Sequence, residues 1–310
     1  MKKKPYMKNG KLVSTLGFGA WPLGNTAHGK TMSISEGVSL VKKALDFGIN
    51  FFDTAPNYAL GRSEIILGKA LVDCREKVVI NTKFGHHEDD TIDFDENKLH
   101  ASIEGSLTRL QTTYIDSVIL HNPSRDILQG KSNHFKKLDH LKKEGIIKGY
   151  GVSIDTIDEL EDTLNYLNVD VIELLFNVFA QSTRKYLDEI KKREIALIIK
   201  VPLDSGWLSG SYAKETVFQG IKARWTPEDK LRRDWLCNQL KSIIKNEAIT
   251  PYALGFLWSY DAITTVIPGI RTMDQLHEHV EASKFVFPNH LKKAFEQFYD
   301  DFIKDNPLPW

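Results

Sequence analysis

Three successive pieces of chain set the pattern for the whole sequence: Val78-Val-Ile-Asn-Thr-Lys83, Leu99-His-Ala-Ser-Ile-Glu-Gly-Ser-Leu-Thr-Arg-Leu110 and Asp116-Ser-Val-Ile-Leu-His121. The outer two are short apolar runs that end in a polar, titratable residue. The middle one is amphipathic with a helical period. Apolar runs without strict alternation suit strands buried on both faces. Similar runs occur at Leu16–Gly19, Asn50–Thr54, Gly149–Ser153, Val171–Asn177, Ala196–Pro202 and Thr264–Pro268. Helix-like segments such as Val38–Phe47 and Leu138–Lys143 lie between them. Parallel strands need a crossover, so strict alternation of strand and helix implies a parallel sheet. Eight such units in about 250 residues predict a (β/α)8 barrel, with a doubly wound open sheet as the alternative.

The punctuation agrees. Ser33-Ile-Ser-Glu36, Thr156-Ile-Asp-Glu159 and Thr272-Met-Asp-Gln275 each fit a capping box, in which the first and fourth residues satisfy each other's free N–H groups. Asn9-Gly10, flanked by apolar residues, predicts an N-terminal hairpin with a two-residue turn. No linker divides residues 1–310, so one domain is expected. The stretch from Asp204 to Leu236 reads as a long loop carrying Trp207, Trp225 and Trp235, and long loops in compact domains tend to be lids or clamps. A helix is expected over Asn289–Lys304.

Composition excludes several function classes. The 310 residues carry 41 basic and 41 acidic side chains, so no global field draws the chain to nucleic acid or an anionic membrane. The basic opening Met1-Lys-Lys-Lys4 has no apolar run behind it, and nothing is long and apolar enough to span a bilayer. Cys74 and Cys237 are far apart and form no metal-binding pair. A cytoplasmic location and a metal-free site are expected.

The polar residues at the strand ends carry the chemistry. Strand two ends at Asp53, with Tyr58 five residues beyond; strand three ends at Lys83 and strand four at His121. In a barrel these ends open onto one face, where barrel enzymes keep their active sites. Singly, each has an ordinary explanation as a helix cap, a packing ring or a solvated charge. Their convergence does not. A phenol is a poor acid at neutral pH, and a neighbouring ammonium lowers its pKa toward the range useful for proton transfer. Asp53 would hold Lys83 charged, and His121 could donate an N–H to a carbonyl oxygen. Such a set protonates an oxygen while a hydride reaches carbon.

The ordered motifs Phe51-Phe-Asp53-Thr-Ala-Pro-Asn-Tyr58, Gly61-Arg-Ser-Glu64, Thr82-Lys83, Ile119-Leu-His121, Gly151-Val-Ser153, Pro202-Leu-Asp-Ser-Gly206 and Ile267-Pro-Gly-Ile-Arg271-Thr-Met-Asp-Gln275-Leu-His-Glu278 resemble the aldo-keto reductase family. The resemblance implies a (β/α)8 barrel that binds NADP(H), sometimes NAD(H), without a dinucleotide-binding domain. It makes Tyr58 the proton donor, assisted by Lys83 and Asp53, with His121 orienting the carbonyl. It places Ser153 on the nicotinamide carboxamide and Leu203, Ser205, Gly206, Leu208 and Gly210 at the pyrophosphate. Arg271 falls at the 2′-phosphate, Gly269 beside it, and Gln275, Glu278 and His279 near the adenosine. Trp21, His86 and Asn122 would line the substrate pocket, which suits a sugar or another small polar carbonyl.

Some positions leave the family pattern. Ile154 stands in place of an Asn, Glu173 of a Gln that contacts the nicotinamide amide, Lys200 of an aromatic ring and His279 of an Asn. Glu173 and Lys200 sit on neighbouring strands and are expected to pair beneath the cofactor, since either would be costly to bury alone. Asp155 is read as a cap of the following helix. Besides a carbonyl reductase, two other functions fit: a cofactor-binding regulatory subunit with slow turnover, and a barrel aldolase or isomerase using Lys83 as a Schiff base. Substrate and oligomeric state are not legible.

Overall fold

The computed structural model describes residues 1–8, 10–27 and 30–309. An antiparallel hairpin comes first, β1 (Lys3–Pro5) and β2 (Leu12–Ser14). After β3 (Phe18–Gly19), a second small hairpin pairs β4 (Thr26–Ala27) with β5 (Lys30–Thr31). The remaining strands are β6 (Phe51–Asp53), β7 (Val79–Phe84), β8 (Ser117–His121), β9 (Tyr150–Ile154), β10 (Val171–Leu175), β11 (Ala196–Lys200) and β12 (Ile263–Val266). β3 and β6 to β12 form one eight-stranded parallel sheet in chain order. Its two edges also meet. Gly17 N–H donates to the Val266 carbonyl at 2.8 Å, and Gly19 N–H to that of Pro268 at 3.0 Å. A Cβ on Gly19 would lie 2.7 Å from the Ile267 carbonyl, so closure needs glycine there. The sheet is the (β/α)8 barrel that the alternation predicts, not an open sheet.

Helices α1 (Ile34–Asp46), α2 (Arg62–Leu71), α3 (Leu99–Leu110), α4 (Arg125–Leu128), α5 (His134–Lys143), α6 (Ile157–Tyr166), α7 (Leu187–Lys192), α8 (Pro227–Ile243), α9 (Ile249–Trp258), α10 (Met273–Ala282) and α11 (Asn289–Phe302) follow the strands. The outer faces of the strands and the inner faces of the helices make the main core, including Phe52, Ile80, Leu120, Ile172 and Ile199. Inside the barrel a second, smaller cluster joins Phe51, Val79, Ile119, Val171, Ala196 and Ile198 to Tyr6 and Val13 of the first hairpin. The two clusters follow from the strand period of two. Inward residues are mostly apolar at the lower ends of the strands, where Ser117 and the Tyr6 hydroxyl add polar atoms, and polar at the upper ends, where the site lies.

Four details depart from the sequence reading. The first hairpin is closed by Tyr6 N–H on the Lys11 carbonyl (2.9 Å), so its connection spans Met7 to Gly10 and is longer than two residues; Asn9 lies outside the described residues. The boxes at Ser33/Glu36 and Thr156/Glu159 are reciprocal. At Thr272 only half forms, because Gln275 Oε1 accepts from Arg271 N–H. The stretch after Asp204 is not loop as far as Leu236: α8 starts at Pro227, capped by a reciprocal Thr226/Asp229 pair. Its tryptophans part company rather than forming one lid. Trp207 and Trp225 pack together in the core (ring centroids 5.9 Å apart), whereas Trp235 lies outside against Phe302.

Candidate active site

Strand register brings the polar residues to one level. Asp53 is paired with Asn81 and Asn81 with Ser117; further round, His121 is paired with Ser153 and Ser153 with Glu173. Residues two apart share a face, so Lys83, two beyond Asn81, also points inward. A turn after β6, closed by the Tyr58 N–H on the Ala55 carbonyl (3.1 Å), brings the Tyr58 ring to 5.2 Å from the Lys83 ammonium. Glu64, fully buried at the start of α2, accepts from Thr82 Oγ1 (2.6 Å) and Arg109 Nε (2.7 Å), which fixes α2 against β7 beside Lys83.

Lys83 is the centre of the arrangement. Its buried ammonium donates to Asp53 Oδ1 and Oδ2 (2.7 and 2.8 Å) and to the Thr54 carbonyl (3.1 Å), and it lies 3.3 Å from Glu173 Oε2. Burial alone would strip its proton, but Asp53 and Glu173 outweigh that and raise its pKa. The Lys83 ammonium lies 5.2 Å from the centroid of the Tyr58 ring. Burial nonetheless dominates at Tyr58 and pushes the phenol above its ordinary value, contrary to the lowering expected from Lys83 alone. The His121 ring meets Tyr58 edge-on at 6.0 Å and stacks on His86 at 4.2 Å. Burial first, then the Lys83 charge, holds His121 well below the usual histidine range, so it is a neutral imidazole. Its Nδ1 is buried without a partner.

The expected Glu173–Lys200 ion pair does not form. Glu173 faces Lys83 and accepts from Ser153 Oγ at 2.9 Å. Lys200 pairs with Asp155 Oδ1 (2.9 Å) and donates to Ser153 Oγ (2.8 Å) and Asn122 Oδ1 (3.0 Å). Ser153 thus sits between the two, and each charge finds a nearer partner. Nor does Asp155 cap α6. Thr156 does, and the Asp155 carboxylate turns over the strand ends to Lys200 and to Asn122 Nδ2 (2.8 Å).

The cofactor and pocket positions are placed as follows. Leu203 to Gly210 form a compact turn, with Asp204, Ser205, Gly206 and Gly210 at positive φ. A Cβ on Gly206 would press to 2.8 Å from the Tyr212 ring. The side chains of Leu203 and Leu208 are buried in the core, so only their backbone could face a ligand. Buried Arg233 holds Asp204 at 2.9 Å beneath this turn. Arg271 does not project freely: its guanidinium donates to the carbonyls of Pro22 (3.3 Å), Asn25 (2.7 Å) and Lys30 (2.9 Å). Gly269 bridges Gly19. Glu278 is exposed, whereas His279 is buried with an unpartnered Nδ1, turned into the fold rather than outward. Trp21 is half-exposed just beyond β3, and Asn122 is drawn into the Lys200–Asp155 network.

These residues fit a dinucleotide in part. The turn at Leu203–Gly210 has the left-handed conformations that let backbone approach a phosphate closely. The carboxamide position is different, because the Ser153 hydroxyl already donates to Glu173 and accepts from Lys200. Among the described residues no cluster could hold a metal. No motif in the sequence signals the contacts that Asp155 and Asn81 make here, nor that between Tyr6 and Ser117 below them.

Against known proteins, the aldo/keto reductase family model matches residues 15–300. "Aldo-keto reductase YhdN" of Bacillus subtilis is 31% identical, over 94% of this chain and 92% of the relative. A "Probable voltage-gated potassium channel subunit beta" of Oryza sativa is 26% identical, over 91% of both chains. Among solved structures, the holo form of aldo-keto reductase AKR11C1 from Bacillus halodurans superposes with a TM-score of 0.81 at 24% identity, over 98% of this chain and 97% of that one; this likeness concerns the fold. The chain belongs to the aldo/keto reductase family of oxidoreductases, which use nicotinamide cofactors. No helix among the described residues is long and apolar enough to cross a membrane.

Proposed function

We propose that this protein interconverts an aldehyde or ketone and its alcohol, with Tyr58 as the general acid and base. The observation that carries the reading is the Asp53–Lys83 pair with the Tyr58 phenol beside it. A bound NADP(H) would supply or accept the hydride at the carbonyl carbon. The chain's own residues manage the oxygen. Neutral His121 donates an N–H to it, which orients and polarises the carbonyl. Tyr58 gives it a proton as negative charge develops, and Lys83 stabilises the phenolate that remains. Asp53 keeps Lys83 charged and aimed. In the oxidative direction the same phenolate takes the proton back.

Leu203, Ser205, Gly206, Leu208 and Gly210 would hold the pyrophosphate through backbone groups, with Ser153, Glu173 and Lys200 around the nicotinamide. Gly269, Arg271, Gln275, Glu278 and His279 are assigned to the adenosine end. Arg271 is the group that would distinguish NADP(H) from NAD(H), provided its guanidinium leaves the loop carbonyls. A rim of Trp21, His86 and Asn122 favours a small polar carbonyl such as a sugar aldehyde. Tyr58→Phe should lower turnover by about 10²–10⁴-fold while NADPH still binds by fluorescence titration; retained turnover overturns the mechanism. The likeness to a channel β subunit supports a second reading, slow turnover coupled to a partner protein. A turnover screen of aldoses, methylglyoxal and aromatic aldehydes with both cofactors separates the two.

A further inference from the structure

Lys83 is held by two carboxylates, and only one is needed to keep it charged. Asp53 chelates the ammonium from β6, Glu173 approaches it from β10 at 3.3 Å, and all three side chains are buried. Both carboxyl groups converge on the same ammonium, and Glu173 Oε2 is buried with no hydrogen-bond partner among the described residues. Every other polar group around the pair is accounted for. Asn81 Nδ2 donates to Asp53 from below (2.7 Å) and Ser153 Oγ donates to Glu173 from the side (2.9 Å). Tyr58 and neutral His121 lie above. Lys200 is the next cation, but it is committed to Asp155, and His86 is held below its usual range first by burial. Two buried negative charges therefore face one positive charge. An uncompensated charge at such a place is expensive, and retaining a proton is the cheaper state.

We propose that Asp53 and Glu173 form a carboxyl pair sharing one proton over Lys83, and that Glu173 is thereby a positioning residue that keeps Tyr58 in its proton-donating form at alkaline pH. The inference rests on the assignment of Tyr58 as the acid. Below the pair's titration the local set carries one ammonium, one carboxylate and one carboxylic acid, and is neutral. Above it, the shared proton leaves to solvent and one net negative charge remains next to the phenol. That charge opposes phenolate formation, which favours carbonyl reduction over alcohol oxidation. The directions agree: burial first, then Glu173, pushes Asp53 up to about 8, while at Glu173 burial is outweighed by the charge of Lys83, and after it that of Lys200, which hold the carboxyl low. The proton belongs to the pair rather than to either residue.

Infrared spectra of the full chain, with and without NADPH, test the pair directly. The expected result is a carboxylic-acid C=O band that is present in the wild type at about pH 6, bleaches as the pH passes about 8, and is absent from Glu173→Gln. In the same variant the ratio of its alcohol-oxidation rate to that of wild type should rise roughly tenfold between about pH 7 and pH 10, as removing one nearby charge predicts. A merely structural role for Glu173 would move neither. No band in the wild type, a band unchanged in Glu173→Gln, or a rate ratio flat with pH overturns the proposal. The wild-type band decides the question even if the variant does not fold. Its absence overturns the pair whatever Tyr58→Phe does, and retained turnover in Tyr58→Phe overturns the catalytic reading whatever the band does.

Discussion

Arg271 Nη1 donates to the Asn25 carbonyl at 2.7 Å, joining the segment before α10 to the loop between β3 and β4. Two further carbonyls, of Pro22 and Lys30, share the same guanidinium. A side chain that the family pattern directs toward a phosphate here clamps a loop. Arg271→Met is expected to weaken NADPH binding about tenfold more than NADH binding, if the 2′-phosphate draws the guanidinium off those carbonyls. Titration of both cofactors into both proteins measures it, and equal losses would mean that the clamp is its sole role.

Lys83→Met removes the one cation between two buried carboxyl groups. Breaking such a set typically costs about 3–5 kcal/mol. The double variant Lys83→Met/Glu173→Gln has a single carboxyl left and should recover part of that loss. Urea unfolding of wild type and the variants gives the comparison; full additivity would show that Glu173 and Lys83 do not interact.

Lys200→Met should cost stability, on the order of 1–3 kcal/mol, because the Asp155 Oδ1 it faces is buried and Asn122 holds only Oδ2. It frees the Ser153 hydroxyl from its ammonium donor. Cofactor affinity is therefore expected to rise. A fall in affinity would place Lys200 among the groups that hold the cofactor instead.

His279 is buried, and burial alone lowers its pKa from 6.5 to about 4. A histidine depressed in the folded state contributes stability that is complete above pH 6.5 and is lost as the pH falls through 4. The shift corresponds to roughly 3 kcal/mol. Thermal unfolding between these limits should show a decline that His279→Leu lacks; identical slopes would mean that the imidazole is not buried neutral.

Much of this was legible in the sequence because the strands are buried on both faces. Their apolar runs stand out, and the barrel strands fall within the expected runs to within a residue or so. Tyr58, Lys83, Asp53 and His121 could be grouped because each follows or ends such a run. The partner of Glu173 could not. Adjacent strands suggest adjacent partners, and Lys200 lies on the next strand; only the tilt of strands in a closed barrel brings Lys83 nearer. Asp155 precedes a helix and so resembles a cap, but Thr156 caps that helix itself and leaves the carboxylate free for Lys200. The start of α8 was missed because its polar first turns carry no apolar stripe, although Thr226-Pro227-Glu228-Asp229 signals a helix start.

The barrel axis has one more consequence. Ser117 has a single hydroxyl proton and donates it to Asn81 Oδ1 (2.5 Å), so Tyr6, 2.6 Å from Ser117 Oγ, must be the donor there. Asn81 in turn donates to Asp53. A polar column therefore runs up the middle of the barrel, from the plug at its floor to the carboxylate that steadies Lys83. Trimming the amino terminus as a dispensable extension would shorten that column from below. Its effect would surface at the opposite mouth, in how firmly the ammonium is held.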